Sequence, residues 1–137
     1  MIDTKELINR VKPDMDINKY LDTYKDEFLN VTHTELLNEY LAKRDMKISE
    51  VVKKSGQGEY VYKVFNGERK PSRDVLIGMA VGMKLSLEET QLLLRVAKFA
   101  ALDPRNIRDS IIIFGIKSEY EIERINELLY EKEQKEL

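Results

Sequence analysis

The 137-residue chain has no cysteine, so disulfide bonds, thiolate nucleophiles and cysteine-ligated metals are excluded, and a reducing cytoplasm is the expected compartment. Its single histidine, His33, is interpreted as a residue beside a helix start rather than a catalytic base. Phosphate-binding loops, nucleophile elbows and His-Glu-x-x-His pairs are also absent from the sequence. We therefore predict that the protein is not an enzyme and has no catalytic residue, metal or cofactor.

Long apolar runs are missing as well. No stretch approaches the roughly 18 apolar residues that a membrane-spanning helix needs. The amino-terminal sequence MIDTKELINRVKPD also lacks the apolar centre of a signal peptide. We therefore expect a soluble, cytoplasmic protein without a membrane partner.

Glycine and proline are scarce, with 6 and 3 residues, whereas hydrophobic residues make up 42% and charged residues 35% of the chain. This composition is typical of an ordered, helix-rich domain. Apolar residues recur at helical spacing in almost every segment, and no segment alternates with the period of two of a half-buried strand. The sequence therefore predicts an all-α fold, a compact domain of several helices.

The amino-terminal segment, residues 1–32, is predicted to be a helical extension. Pro13 separates a short first helix from a second helix that has one apolar stripe. The stripe consists of Ile17, Tyr20, Leu21, Tyr24 and Phe28. Residues 1–40 carry 9 acidic and 5 basic side chains, which makes this part of the chain a candidate for contact with a partner protein.

Capping signals predict where four later helices start. A Ser or Thr followed three residues later by Glu allows each side chain to bond a free backbone N–H at the helix start. Such pairs are Thr32 with Glu35, Ser86 with Glu89, and Ser118 with Glu121. Asp103 before Pro104 predicts the fourth start, with a helix over residues 104–116. That helix contains SIIIFGI, which is apolar on nearly all sides, so it is either central to the domain or in contact with a second copy in a homodimer.

Positive charge is concentrated in the middle of the chain, although the net charge is -2. Residues 41–75 carry 9 basic and 5 acidic side chains, against 9 and 11 in residues 76–137. The basic stretch includes two short predicted helices, residues 48–55 and 58–66, separated by a turn that begins at Gly56. Their inward-facing residues are Val51 and Val52 in the first helix and Val61, Val64 and Phe65 in the second. This spacing matches a helix-turn-helix, whose second helix fits the major groove of DNA.

The same stretch resembles a known family. ISEVVKKSGQGEYVYKVFNGERKPSRDVLIGMAVGMKLSLEET is similar to the XRE-type helix-turn-helix of phage repressors and Cro, whose motif ends in Gly, a basic pair and Pro-Ser before the next helix. The resemblance implies a five-helix domain over residues 33–99, followed by a helical pair over residues 100–137. It also implies a sequence-specific transcriptional regulator that binds double-stranded DNA, usually as a dimer on two half-sites.

The resemblance makes residues 48–55 the scaffold helix and residues 58–66 the recognition helix. The base-contacting candidates that it implies are Gln57, Glu59, Tyr60, Tyr62 and Lys63. The phosphate-contacting candidates are Lys53, Arg69, Lys70 and Ser72. Gln and Lys side chains can hydrogen-bond base edges, whereas Arg, Lys and a hydroxyl at a helix start attract phosphate.

A second interpretation keeps the helix-turn-helix scaffold without DNA reading, as a protein-interaction or antitoxin-like module. It is favoured by the acidic first and last helices, by Glu59 in the predicted recognition helix, and by a turn one residue shorter than the common pattern. A mixed form would bind a partner protein through residues 1–31 and DNA through residues 33–99.

Overall fold

Helices form all the regular secondary structure of residues 2–27 and 31–137, the part of the chain that the structure, a computed structural model, describes. They are α1 (Thr4–Asn9), α2 (Ile17–Thr23), a 3-10 helix (Lys25–Glu27), α3 (His33–Lys43), α4 (Ile48–Ser55), α5 (Tyr60–Phe65), α6 (Arg73–Gly82), α7 (Leu87–Val96), α8 (Ile107–Lys117) and α9 (Ile122–Glu131). The predicted all-α fold is confirmed. Two compact units make up the chain, residues 1–30 and residues 31–137.

In the first unit, Arg10 at the end of α1 contacts Tyr24 at the end of α2. The Arg10 guanidinium group lies 5.5 Å from the centroid of the Tyr24 ring and donates to its hydroxyl at 3.4 Å. Tyr20 is buried, and its ring centroid lies 4.9 Å from that of Tyr24. Ile17 and Leu21 are exposed, so only part of the apolar stripe of α2 is buried.

The prediction of one helix reaching Phe28 is wrong, because α2 ends at Thr23. The hydroxyl of Thr23 donates to the carbonyl of Lys19 at 2.7 Å, a local bond that competes with the backbone bonds of a continuing helix. Phe28 itself lies outside the described residues.

The second unit is built around one core, to which α3 to α9 all contribute. Its fully buried side chains include Leu37 from α3, Val51 from α4, Val61 and Val64 from α5, Leu76, Ile77 and Met79 from α6, Leu93 and Leu94 from α7, Ile112 from α8, and Ile125 and Leu129 from α9. Because α8 and α9 share this core with the earlier helices, residues 33–99 and 100–137 pack as one unit.

Two predicted helix starts are confirmed by their hydrogen bonds. At the start of α3, Thr32 Oγ1 accepts from the backbone N–H of Glu35 at 3.1 Å. At the start of α7, Ser86 and Glu89 form both bonds of a capping box, at 3.1 Å and 2.9 Å. These bonds satisfy N–H groups that have no partner inside their own helix.

The predicted start of α8 is wrong, since the helix begins at Ile107 rather than Pro104. The Asp103 carboxylate accepts from the backbone N–H two residues later at 2.9 Å and so forms a turn. Asn106 caps the helix instead, because its side-chain oxygen accepts from the N–H of Asp109 at 2.9 Å. Two capping residues compete here, and the second one begins the helix.

The predicted start of α9 at Ser118 is wrong as well. Ser118 still belongs to the end of α8, where its N–H donates to the carbonyl of Phe114 at 3.0 Å. Glu119 then takes a left-handed conformation with a φ of 56°, and Glu121 is the residue that precedes α9. Ser118 cannot cap α9, because its backbone N–H makes the last hydrogen bond of α8.

The apolar segment SIIIFGI of α8 is covered on one side and exposed on the other. Ile112 is fully buried, and Gly115 brings α8 against α9 so closely that a Cβ here would overlap the side chain of Ile125. Phe114 is 53% exposed on the other side. The segment is therefore part of the core through one face only.

α4 ends directly on the backbone of α6, at two glycines one helical turn apart. A Cβ at Gly82 would lie 2.9 Å from Ser55 N, and a Cβ at Gly78 would lie 2.9 Å from Ser55 O and 2.7 Å from Gln57 Nε2. Ser55 is fully buried, and its hydroxyl donates to the carbonyl of Val52 at 3.3 Å and accepts from the N–H of Gln57 at 3.2 Å. The two glycines therefore set the place where α4 ends and the chain turns toward α5.

Two ion pairs tie the first turn of α6 to the first turn of α8. Arg73 donates to the Asp109 oxygens at 3.2 Å and 2.9 Å, and Arg108 donates to the Asp74 oxygens at 2.9 Å and 3.1 Å. Burial by itself would raise the pKa of Asp109, but hydrogen bonds from Arg73 and from the N–H of Asp103 outweigh burial and hold this pKa below its ordinary value. The pairs fix α8 against the start of α6.

We expect Gly82→Ala to lower the free energy of unfolding by about 1–3 kcal/mol, because the added Cβ overlaps backbone atoms of α4 that cannot rotate away. Urea denaturation followed by circular dichroism measures this loss. Gly58→Ala is the control, since nothing lies within 4 Å of a Cβ there and its cost arises only from a φ of 70°. Equal stability of the wild type and Gly82→Ala would contradict the close packing.

Because of Asp109, the free energy of unfolding changes with pH in the acidic range. Because the folded-state pKa of Asp109 lies below its unfolded value, its contribution is present above the ordinary pKa of 3.8 and is lost as the pH falls through the folded-state pKa. We expect Asp109→Asn to lower the free energy of unfolding by about 2 kcal/mol at neutral pH, and by less at strongly acidic pH. Urea denaturation at both pH values tests this, and a difference that stays constant would contradict it.

Candidate nucleic-acid interface

α4 and α5 are joined by a tight turn that contains two left-handed glycines. Gly56 directly follows α4 with a φ of 71°, and Gly58 has a φ of 70°. α5 spans only Tyr60–Phe65, so Gly58 and Glu59 belong to the turn, and the predicted helix over 58–66 is too long. The arrangement is a scaffold helix, a turn and a short second helix.

The two faces of α5 differ in exposure. Its buried face consists of Val61, Val64 and Phe65, as predicted. On the outer side, Tyr62 is 39% exposed, and Glu59 and Lys63 are exposed as well. Because positions three and four residues apart share a helix face, these three predicted base-contacting residues form one accessible surface.

The other two base-contacting candidates are engaged within the protein. Gln57 is half-buried, with its side chain against Gly78 and its amide donating to the carbonyl of Ser55 at 3.5 Å. The hydroxyl of Tyr60 donates to the carbonyl of Lys70 at 2.9 Å and so ties α5 to the segment after it. Gln57 and Tyr60 therefore hold the shape of this region, apart from the exposed surface of α5.

The segment after α5, residues 66–72, is called the 66–72 turn and folds back on that helix. The carbonyl of Lys63 accepts from the N–H groups of Glu68 at 2.9 Å and Arg69 at 3.3 Å. Gly67, with a φ of 76°, allows the reversal of the chain. The side chains of Lys63 and Arg69 therefore start from adjacent parts of the backbone.

The remaining phosphate-contacting candidates lie at the edges of this region. Lys53 is exposed on the last turn of α4, and Lys70 is exposed on the 66–72 turn. Ser72 is the N-cap of α6, where its hydroxyl oxygen accepts from the N–H of Val75 at 3.2 Å. The Ser72 oxygen thus serves the helix, while its O–H remains available as a donor.

Several cations of this region have no carboxylate partner. In the described part of the chain, the cations of α4, α5 and the 66–72 turn that form no ion pair are Lys53, Lys54, Lys63, Arg69 and Lys70. By contrast, Arg44 pairs with Glu89 at 2.5 Å and Arg73 pairs with Asp109 at 2.9 Å. Exposed carboxylates are present here too, on Glu50, Glu59 and Glu68. The cations outnumber them, so the surface carries uncompensated positive charge.

The nearness of His33 to this surface was not predicted from the sequence. His33 is the first residue of α3 and is half-buried, and its pKa is lowered by burial and then by the positive charge of Lys70. Asn38 of the same helix donates to the carbonyl of Phe65 at 3.1 Å, which joins α3 to the end of α5. No sequence signal could have found this contact, because it depends on how α3 packs against α5.

We expect Tyr60→Phe to lower the free energy of unfolding by about 1 kcal/mol, because the Lys70 carbonyl loses its donor. The amide hydrogens of the 66–72 turn should also exchange faster. Urea denaturation and hydrogen exchange measure the two effects. Tyr62→Phe is the matched control because Tyr62 is exposed, and equal effects of the two variants would contradict the role assigned to Tyr60.

Metal-binding clusters and membrane spans are absent from the described residues. No three acidic or histidine side chains there converge on a place for a metal ion, and no described helix combines the length and apolar character needed to cross a bilayer. The sequence matches no model of a protein family, no curated protein and no solved structure.

Proposed function

We propose that the protein is a sequence-specific regulator of transcription that binds double-stranded DNA, with α5 in the major groove and the 66–72 turn on the phosphate backbone. The observation that carries the proposal is an exposed helix face beside cations that have no carboxylate partner. Such cations attract a polyanion, because each phosphate that they neutralise releases a condensed counterion.

Base reading is assigned to the exposed face of α5. The ammonium group of Lys63 can donate to O6 and N7 of guanine, and the carboxylate of Glu59 can accept from N4 of cytosine. The ring of Tyr62 offers apolar contact to a thymine methyl group. In this proposal Gln57 and Tyr60 hold the helix and turn in place, because their polar atoms already have partners within the protein.

Phosphate binding is assigned to the cations around α5. Arg69 presents a planar fork of donors that matches a phosphate group, and Lys70 and Lys53 add point charges. The O–H of Ser72 can add a hydrogen bond at the start of α6. These contacts would fix the register of α5 on the duplex without reading sequence.

A second candidate function is contact with a partner protein through the first unit. This unit exposes Ile8, Val11, Ile17 and Leu21, which are between 44% and 65% exposed. Ile8 lies on α1, and Ile17 and Leu21 lie on α2. Contiguous exposed apolar side chains are typical of contact surfaces. Selection from a random duplex pool at low salt separates the candidates, since a failure to enrich any sequence would contradict sequence-specific DNA binding and favour the protein-interaction module.

The homodimer stays a prediction. The exposed Ile107 and Phe114 of α8 are available for contact with a second copy. Two copies on half-sites about 34 Å apart would combine two weak modules into one tighter complex.

We expect Arg69→Ala and Lys70→Ala each to weaken duplex binding several-fold and to reduce the slope of log affinity against log salt by about one unit. Fluorescence anisotropy with a labelled duplex at several salt concentrations measures both quantities.

Arg95→Ala and Lys117→Ala are the matched controls, because both residues are exposed and lie outside α4, α5 and the 66–72 turn. The controls should keep the wild-type affinity and slope. If all four variants behave alike, the 66–72 turn is not the phosphate-binding surface.

A further inference from the structure

The start of α3 lies against the 66–72 turn. A Cβ at Gly67 would lie 3.9 Å from Cγ2 of Thr34, in the first turn of α3. The side-chain amide of Asn38 donates both to the carbonyl of Thr34 at 2.9 Å and to that of Phe65 at 3.1 Å. His33 is the residue before Thr34, so the first turn of α3 carries the imidazole beside the segment that holds Lys70, whose charge acts on it.

We propose that His33 is a further phosphate-binding residue of this surface, and that its imidazole takes up a proton when duplex DNA binds. The inference rests on the proposed function, since the anion that it requires is a DNA phosphate. It makes affinity for DNA increase as the pH falls below neutrality.

The charges around His33 explain the direction of the effect. In the free protein, burial and the ammonium group of Lys70 lower the pKa of His33, so the imidazole is mostly neutral at pH 7. The other charged groups of these two segments are Glu35, Glu39 and Lys43 on α3 and Glu68 and Arg69 on the 66–72 turn. A phosphate held by Arg69 and Lys70 places negative charge beside the imidazole and favours its cationic form.

Proton linkage gives the sign of the pH dependence. If the pKa of His33 is higher in the complex than in the free protein, the complex binds more protons, and affinity rises as the pH falls between the two pKa values. A rise of one pKa unit on binding corresponds to about tenfold tighter binding at low pH than at high pH.

The chain makes this linkage easy to assign. It has one histidine and no cysteine, so no other side chain has an ordinary pKa between about 5 and 8. The α-amino group titrates only toward the upper end of that range, and a His33→Gln variant removes the contribution of His33 while keeping a polar side chain of similar size.

The test uses the full chain and a labelled 20-base-pair duplex of mixed sequence at low salt, because phosphate contacts do not require a specific sequence. Anisotropy titrations run from pH 8 to pH 5.5 with the wild type and His33→Gln. The wild type should gain about tenfold in affinity across this range, and His33→Gln should gain much less. In parallel, NMR of the wild-type imidazole should show its pKa rising when the duplex is added.

Three results would contradict the inference, and they differ in whether the proposed function fails with it. An equal pH dependence in the wild type and His33→Gln contradicts it, as does a His33 pKa that falls or stays constant on binding. In both cases the proposed function would still stand if the protein binds the duplex and Arg69→Ala weakens this binding. Absence of duplex binding at any pH removes the proposed function together with the inference.

Discussion

The position of α5 depends on the contact between the end of α4 and the two glycines of α6. Because Gly78 and Gly82 have no Cβ, the backbone at Ser55 lies on α6 itself and not on a layer of side chains. The hydroxyl oxygen of the buried Ser55 accepts a hydrogen bond from the N–H of Gln57, and this bond fixes the first residues of the turn. The short helix α5, with one buried and one exposed face, takes its orientation from that contact.

The basic side chains fall into two groups. Some form ion pairs that hold the helices together, and others have no carboxylate partner and can bind a ligand. Arg73 and Arg108 are bound by carboxylates that join α6 to α8, and Arg44 is bound by Glu89 at the start of α7. Around α5, by contrast, Lys63 and Arg69 have no such partner among the described residues. The chain is acidic overall, yet several cations without an ion pair lie around a helix whose outer face is polar and accessible. This division favours a polyanion as the partner.

Sequence patterns predicted the features that local physics determines, such as the all-α fold, the capping box of Ser86 and Glu89, and the inward face of α5. They failed at the start of α8, because Asp103 and Asn106 are both good caps and only the packed structure selects one. They also could not show that Tyr60 is tied to the 66–72 turn, or that His33 lies beside it. Both facts depend on contacts between residues far apart in sequence.

The DNA-binding role of α5 is tested most directly by NMR. The full chain is titrated with a duplex that was enriched by selection, and the shifts of the backbone amide signals are mapped onto the structure. If α5 enters the major groove, the largest shifts fall on His33, on residues 57–65 and on the 66–72 turn, with small shifts in α8 and α9. Large shifts centred on α8 and α9, or on residues 2–27, would contradict a DNA-binding role for α5.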